Sequence, residues 1–267
     1  MHEDERKEDE MRYAKLITVA LLAAIAMPMA AMAQEKTIEK KVDINALSKK
    51  LDELYRSESS KAVMTMQIVT PNYERTLEME MTTKGSENTL IRILSPRKEK
   101  GISTLKRGNE MWNYLPKVKK VVRVPPSMMM SSWMGSDVTN DDLVRDSSWD
   151  EDYTVKQVPA KAGEFCFDYT PKESAAVTWS RVHTCFDAKL ELPKRQEFYD
   201  EKGRKVRQMK FDRYRKVDGR VIPTRISVIP LSEDKKGNKT VMTYKAMSFD
   251  VEVPDETFSM ANLRRGK

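Results

Sequence analysis

Glycine is scarce in this chain, 9 residues in 267. That leaves little material for glycine-rich loops that cradle phosphates, and no G-x-G-x-x-G, G-x-x-x-x-G-K-S/T or G-x-S-x-G pattern occurs. Histidine and cysteine are scarcer still, two of each. Zinc-finger arrays, iron–sulfur ferredoxins and multi-histidine metal centres are thereby excluded, and no metal or cofactor is expected. The apolar stretch near the N-terminus, Leu16 to Met27, has 12 residues. A bilayer-spanning helix needs about 20. What is abundant is charge, 33% of residues, against 39% hydrophobic, with a mean hydropathy of −0.64. That balance suits a soluble globular chain.

Residues 12–33 read as an export signal. Arg12 and Lys15 precede the apolar stretch, Pro28 breaks it, and Ala31-Met32-Ala33 offers a small-x-small cleavage site. Met11 is a candidate start, because the ten residues before it are acidic. Position 34 is Gln, so no lipid-anchoring cysteine follows the cut. The reading is residues 1–33 as signal peptide, 34–43 as flexible N-terminus, and 44–267 as one domain, soluble in the periplasm after cleavage following Ala33. Residues 34–267 hold 44 Lys or Arg against 35 Asp or Glu, net +9. An exported basic protein meets anionic lipid headgroups rather than nucleic acid, so peripheral membrane contact is expected and nucleic-acid binding is not.

Cys166 and Cys185 both lie in the exported part and are expected to form a structural disulfide. Closing that loop is worth about 3 kcal/mol in the chain-entropy picture. No C-x-x-C motif argues for redox chemistry. His183 shares a strand face with Cys185, but a bonded sulfur is no nucleophile.

Asp43 is placed to cap a helix over 44–58, with Ile44, Leu47, Leu51, Leu54 and Tyr55 on one stripe. The period then changes to two. Met64, Met66 and Ile68 alternate with polar neighbours, as do Leu77, Met79 and Met81, then Ile91 and Ile93. Further strands are expected at 102–107, 110–115, 118–124, 153–158, 164–170, 181–187, 193–200, 204–215, 221–229 and 239–250. Residues 125–150 break the rhythm with an apolar, then acidic connection carrying a short helix near 140–146 capped by Thr139 or Asn140. The fold class is mainly β: a curved antiparallel sheet with a helix packed on its concave side.

The acidic run Asp137, Asp141, Asp142, Asp146, Asp150, Glu151 and Asp152 lacks EF-hand spacing and reads as a solvated face. An enzyme using Asp137 or Asp141 as base lacks a recognisable partner set, so no catalytic residues are expected. What remains is methionine. Thirteen follow the cut, clustered on Met64/Met66, Met79/Met81, Met111 and the connection. Methionine is flexible and polarisable, so surfaces lined by it adapt to varied apolar partners. An apolar site is therefore read from Met64, Met66, Leu77, Met79, Met81 and Met111. Met128, Met129, Met130, Trp133 and Met134 read as its lid or mouth. The basic strand Lys117, Lys119, Lys120 and Arg123 reads as a headgroup or partner contact.

Longer stretches carry a resemblance. Met111-Trp112-Asn113-Tyr114-Leu115-Pro116, Val118 to Arg123, Pro125-Pro126-Ser127-Met128-Met129-Met130, Ser132 to Asp137 and Thr139 to Leu143 form one block. Pro193-Lys194, Phe198-Tyr199-Asp200, Gly219 to Arg225 and Phe258 to Leu263 follow. Together they resemble the outer-membrane lipoprotein-sorting family, in its LolA-like branch typified by a treponemal uncharacterised domain. The resemblance implies a LolA/LolB-like incomplete barrel of about eleven antiparallel strands closed by helices, with an apolar cavity for acyl chains. It implies carriage of lipoproteins or lipids without nucleotide. Members are often encoded near RND-type exporters, so the alternative is an envelope interaction module, an accessory of such a transporter that carries no lipid.

Overall fold

The computed structural model describes residues 43–144, 152–175 and 177–265. The expected signal peptide and cleavage site, residues 34–42, and Asp146, Asp150 and Glu151 lie outside them. Asp43 caps the first helix, α1 (Ile44–Asp52), its Oδ1 accepting from the Ala46 amide at 3.1 Å. The helix stops at Asp52, not at 58. Turns follow, and Ser57 adopts a φ of 54° that swings the chain into the sheet. Leu54 and Tyr55 stay on the apolar stripe, but a turn delivers them.

Thirteen antiparallel strands form one sheet: β1 (Ser59–Val69), β2 (Glu74–Lys84), β3 (Asn88–Ser95), β4 (Ser103–Arg107), β5 (Glu110–Leu115), β6 (Lys120–Arg123), β7 (Tyr153–Val158), β8 (Glu164–Pro171), β9 (Arg181–Asp187), β10 (Pro193–Tyr199), β11 (Lys205–Val217), β12 (Arg220–Pro230) and β13 (Lys239–Phe249). The resemblance implies about eleven. Each alternating segment of the sequence forms its own strand, so local pattern sets the count. Lys117 and Lys119 are corrected from strand to turn. Lys119 takes a φ of 53°, which a ladder residue does not hold, and β6 begins at Lys120.

The order is β6-β5-β4-β3-β2-β1-β13-β12-β11-β10-β9-β8-β7. Consecutive strands β6 and β7 therefore occupy opposite edges of an open barrel. The segment joining them has to cross the sheet, and its described part, residues 124–144, lies over the inner face. That face is set by cross-strand pairs such as Met64 with Met79, Met66 with Leu77 and Met242, and Met79 with Ile93. On the other half, Leu47 of α1 packs on Phe165, Phe167, Tyr169 and Val182. The outer face of β3–β5 is covered by the C-terminal segment, where Phe258 and Leu263 of α3 (Met260–Leu263) and its approach meet Leu90, Leu105 and Tyr114. No helix among the described residues is long and apolar enough to cross a membrane.

Candidate functional site

The crossing segment is fastened at three points. Trp133 is buried, and its indole Nε1 donates to Thr104 Oγ1 of β4 at 3.0 Å. Asp137 is also buried. Its amide donates to Thr240 Oγ1 at 2.9 Å, and that hydroxyl donates to its carboxylate at 2.8 Å. Asp137 is thus a fastener onto β13, with its acceptor already engaged. The helix α2 (Asn140–Val144) begins in a capping box. Thr139 Oγ1 accepts from the Asp142 amide at 3.1 Å, and the Asp142 carboxylate accepts from the Thr139 amide at 2.8 Å. Of the two caps the sequence offers, Thr139 and Asn140, Thr139 is therefore the one used.

Asp142 also makes the third fastening. Its two oxygens accept from the two terminal nitrogens of Arg207, on β11, at 2.7 and 2.9 Å. The guanidinium lies over the rings of Phe198, at 4.1 Å, and Trp179, at 4.8 Å. Its side chain is only 7% exposed, while that of Asp142 is 26% exposed. Burial works against the Asp142 carboxylate, but Arg207 and the Thr139 donors outweigh it and hold its pKa below the usual range.

The sign of the acid effect follows. A depressed carboxyl contributes stability above its unfolded pKa, about 3.9, and loses it as pH falls through the folded value. Glu164, Glu197, Asp187, Asp200 and Asp250 are depressed as well, so the whole protein is expected to weaken in acid. Thermal unfolding of Asp142→Asn between neutral pH and pH of about 2 should show a smaller acid loss than the parent chain. Parallel curves would remove Asp142 from the acid response.

Between this segment and the sheet lies an apolar cavity of about 210 Å³. Its floor is Met64, Met79, Met81 and Ile91, with Met209, Val228, Met242 and Tyr244 beside them; Trp133, Val138 and Leu143 form the roof. Tyr55 stacks on Tyr244 with centroids 4.9 Å apart, and its hydroxyl donates to the Pro223 carbonyl at 2.8 Å. Burial raises the pKa of both phenols, so they stay neutral. Burial lowers that of Arg56 at the cavity wall and brings Lys106, on β4, to about 8. A second cavity, of about 260 Å³, adjoins the first. The two share Tyr55, Arg56, Asp142 and Met209, and the second adds Asp52, Asp141, Trp179 and Arg207.

The sequence-derived site divides on this geometry. Met64, Met79, Met81 and Trp133 meet at the cavity. Met66, Leu77 and Met111 are fully buried in the adjoining core and form no cavity wall. Met129 and Met134 pack half-buried on that core, whereas Met128 and Met130 face outward, 50% and 44% exposed. Lys117 and Met134 line a surface groove with Tyr73, Leu115 and Val118. Lys119 and Lys120 are exposed outside that groove, and Arg123 is paired with Glu110. The sequence reading missed Met209, Met242 and Tyr244, although all three lie in strands it identified. Arg207 carried no sequence signal.

Cys166 and Cys185 are bonded. They and His183 are the one grouping of sulfur, imidazole and carboxylate ligands close enough to hold a metal among the described residues. The sulfurs are already spent on each other.

A family model described only as a "-like" family of uncharacterized protein matches residues 85–265. A search of curated proteins finds no match. Among solved structures, a DUF1329 family protein from Desulfovibrio piger superposes with a TM-score of 0.72 at 24% identity, over 82% of this chain and 97% of that one. A LolA superfamily protein from Nitrosomonas europaea gives 0.68 at 22%, over 83% and 99%. A provisionally named outer membrane lipoprotein-sorting protein domain from Vibrio parahaemolyticus gives 0.70 at 19%, over 83% and 98%. At these identities the likeness establishes the fold.

Proposed function

We propose that this chain, which belongs to the uncharacterized-protein family whose model matches residues 85–265 and has a LolA-like fold, is a periplasmic carrier of acyl chains. The acyl chains belong to lipoproteins or other lipids, held beneath the 125–144 segment and passed towards the outer membrane without nucleotide. The observation that carries this reading is the apolar cavity between the methionine-bearing strands and the roof of Trp133, Val138 and Leu143.

Transfer of a CH₂ group from water to an apolar wall is worth about 0.8 kcal/mol. An acyl chain thus gains enough to bind, and adaptable methionine walls temper the selectivity. The cavity of about 210 Å³ is smaller than small-molecule pockets of roughly 300–1,000 Å³. Loading therefore requires the roof to lift from the floor. In this reading the exposed Lys117, Lys119 and Lys120 meet an anionic headgroup or a membrane surface; Arg123 is held by Glu110.

The test is native mass spectrometry with lipid extraction of residues 34–267 purified from a periplasm. The parent chain is expected to carry an acylated species. Met81→Asp puts a charge on a half-buried wall residue, and Leu143→Trp fills the space from the roof. Each should lower bound lipid at least tenfold, the first because a charge at an apolar wall costs about 2 kcal/mol or more, the second because the indole takes the volume an acyl chain would fill. Met79 is too deeply buried for this purpose, at 2% exposure. Folded variants that keep the parent's lipid content would exclude the cavity as the binding site.

A further inference from the structure

The outer face of β8–β10 holds a second constellation, on the side opposite the Phe165, Phe167 and Tyr169 core. Cys166 and Cys185 stand directly opposite each other in the β8–β9 ladder, and Asp168 stands opposite His183. His183 Nε2 lies 3.2 Å from Cys185 Sγ, and its Nδ1 lies 2.7 Å from Asp168 Oδ1. Arg181 holds the other Asp168 oxygen at 3.1 Å. On the other sulfur, an Arg195 nitrogen lies 3.9 Å from Cys166 Sγ, and Arg195 is itself held by Glu164 at 2.7 Å.

A disulfide kept only for bracing has no use for an oriented imidazole at one sulfur and a guanidinium at the other. With Nδ1–H donating to Asp168, the Nε2 lone pair is aimed at Cys185. Once it takes up a proton, Nε2–H becomes a donor that stabilises Cys185 as a leaving thiolate, and exchange is faster when the leaving thiol has a low pKa.

We propose that Cys166–Cys185 is an exchange-active disulfide whose partner is a protein dithiol. One partner thiol attacks Cys166 Sγ, drawn by Arg195. A bond forms between the partner sulfur and Cys166, and the Cys166–Cys185 bond breaks. Cys185 leaves as thiolate, and the proton of the attacking thiol ends on His183 Nε2. The partner's second thiol then displaces Cys166, so the partner is oxidised to its disulfide and this chain gains two electrons and two protons.

Both sulfurs are buried, and their cover is made of side chains: His183 and Asp168, about one-fifth exposed, and Arg195, 27% exposed. Rotation of Arg195 opens the approach without disturbing the sheet. Other charges around the pair are Lys156 across from Asp168 on β7, Asp187 across from Glu164 on β9, Lys194 and Glu197 on β10, and Lys210 across from Arg195 on β11.

The experiment uses the exported chain with dithiothreitol as probe dithiol, in buffer without denaturant, followed by thiol alkylation and mass analysis. Native-state reduction is expected, with a rate insensitive to low urea. In the reduced protein, thiolate ultraviolet absorbance should place the Cys185 pKa below the ordinary value of about 8.5. His183→Asn, with His183→Gln as the alternative should the first fold poorly, should slow reduction at neutral pH at least tenfold and return the thiolate titration to the ordinary range. Asp168→Asn should do so in part. The proposal is overturned if reduction proceeds only at the rate of global unfolding. It is equally overturned if the reduced parent titrates at or above the ordinary thiol value, or if the His183 variants match the parent. None of these readouts depends on lipid, so the carrier reading stands or falls separately.

Discussion

Replacing Trp133 with alanine is expected to cost about 3–5 kcal/mol of folding stability, the usual range for truncating a buried aromatic. Trp133 is 4% exposed, packs among Met64, Met66, Met79 and Met111, and donates its indole hydrogen to Thr104. Truncation removes the packing and leaves a void at the roof of the cavity. Trp133→Phe should cost less, about 1–2 kcal/mol, because most of the apolar volume stays and only the donor is lost. Urea unfolding at neutral pH reads both. A Trp133→Ala loss under about 1 kcal/mol would mean that the segment is not seated on the sheet in solution.

Arg207→Met is expected to destabilise by about 3 kcal/mol, the lower end for breaking a buried ion pair by removing one partner. The Asp142 carboxylate would face Trp179 and Phe198 without its bidentate donor, and its remaining exposure to water keeps the cost from rising further. Adding Asp142→Leu to Arg207→Met should restore part of the loss, since an apolar pair leaves no charge unpaired, while the Thr139–Asp142 capping bonds stay lost at about 1 kcal/mol. A double-mutant cycle measures the coupling. A single-variant cost below about 1 kcal/mol would class the pair with exposed salt bridges and remove it as a fastener of the segment.

The strands were legible because one face of each is wet and the other dry. Met64, Met66 and Ile68 announce β1 by period alone, and their register partners Met79 and Leu77 announce β2. The length of the first helix was not legible. The apolar stripe runs on through Leu54 and Tyr55, yet what ends the helix is the backbone at Ser57, a conformation with no apolar signal. The basic strand was misread at Lys117 and Lys119 for a related reason: alternation continues through a turn when the turn residues are charged. At the site, the sequence found the floor and Trp133 because methionine clusters locally. It missed Arg207 and Asp142 because they lie 65 positions apart and only the crossing of the sheet brings them together. The same holds for Asp168 beside His183 and Cys185, whose arrangement depends on register and not on any short motif.

Every strand pairing but one joins neighbours in the sequence; the exception is β1 with β13. Two meanders, β1–β6 and β7–β13, can therefore zip locally at small loop-closure cost, and only the final seam must close over a long stretch of chain. Two of the three fastenings of the crossing segment, Asp137 to Thr240 on β13 and Asp142 to Arg207 on β11, cannot form until that seam has closed, because both strands lie beyond it. Until then the methionine faces of β1 and β2 have only the Trp133 end of the segment to cover them. The apolar surface proposed to hold acyl chains is for that interval open to any apolar partner, including another copy of the same nascent sheet.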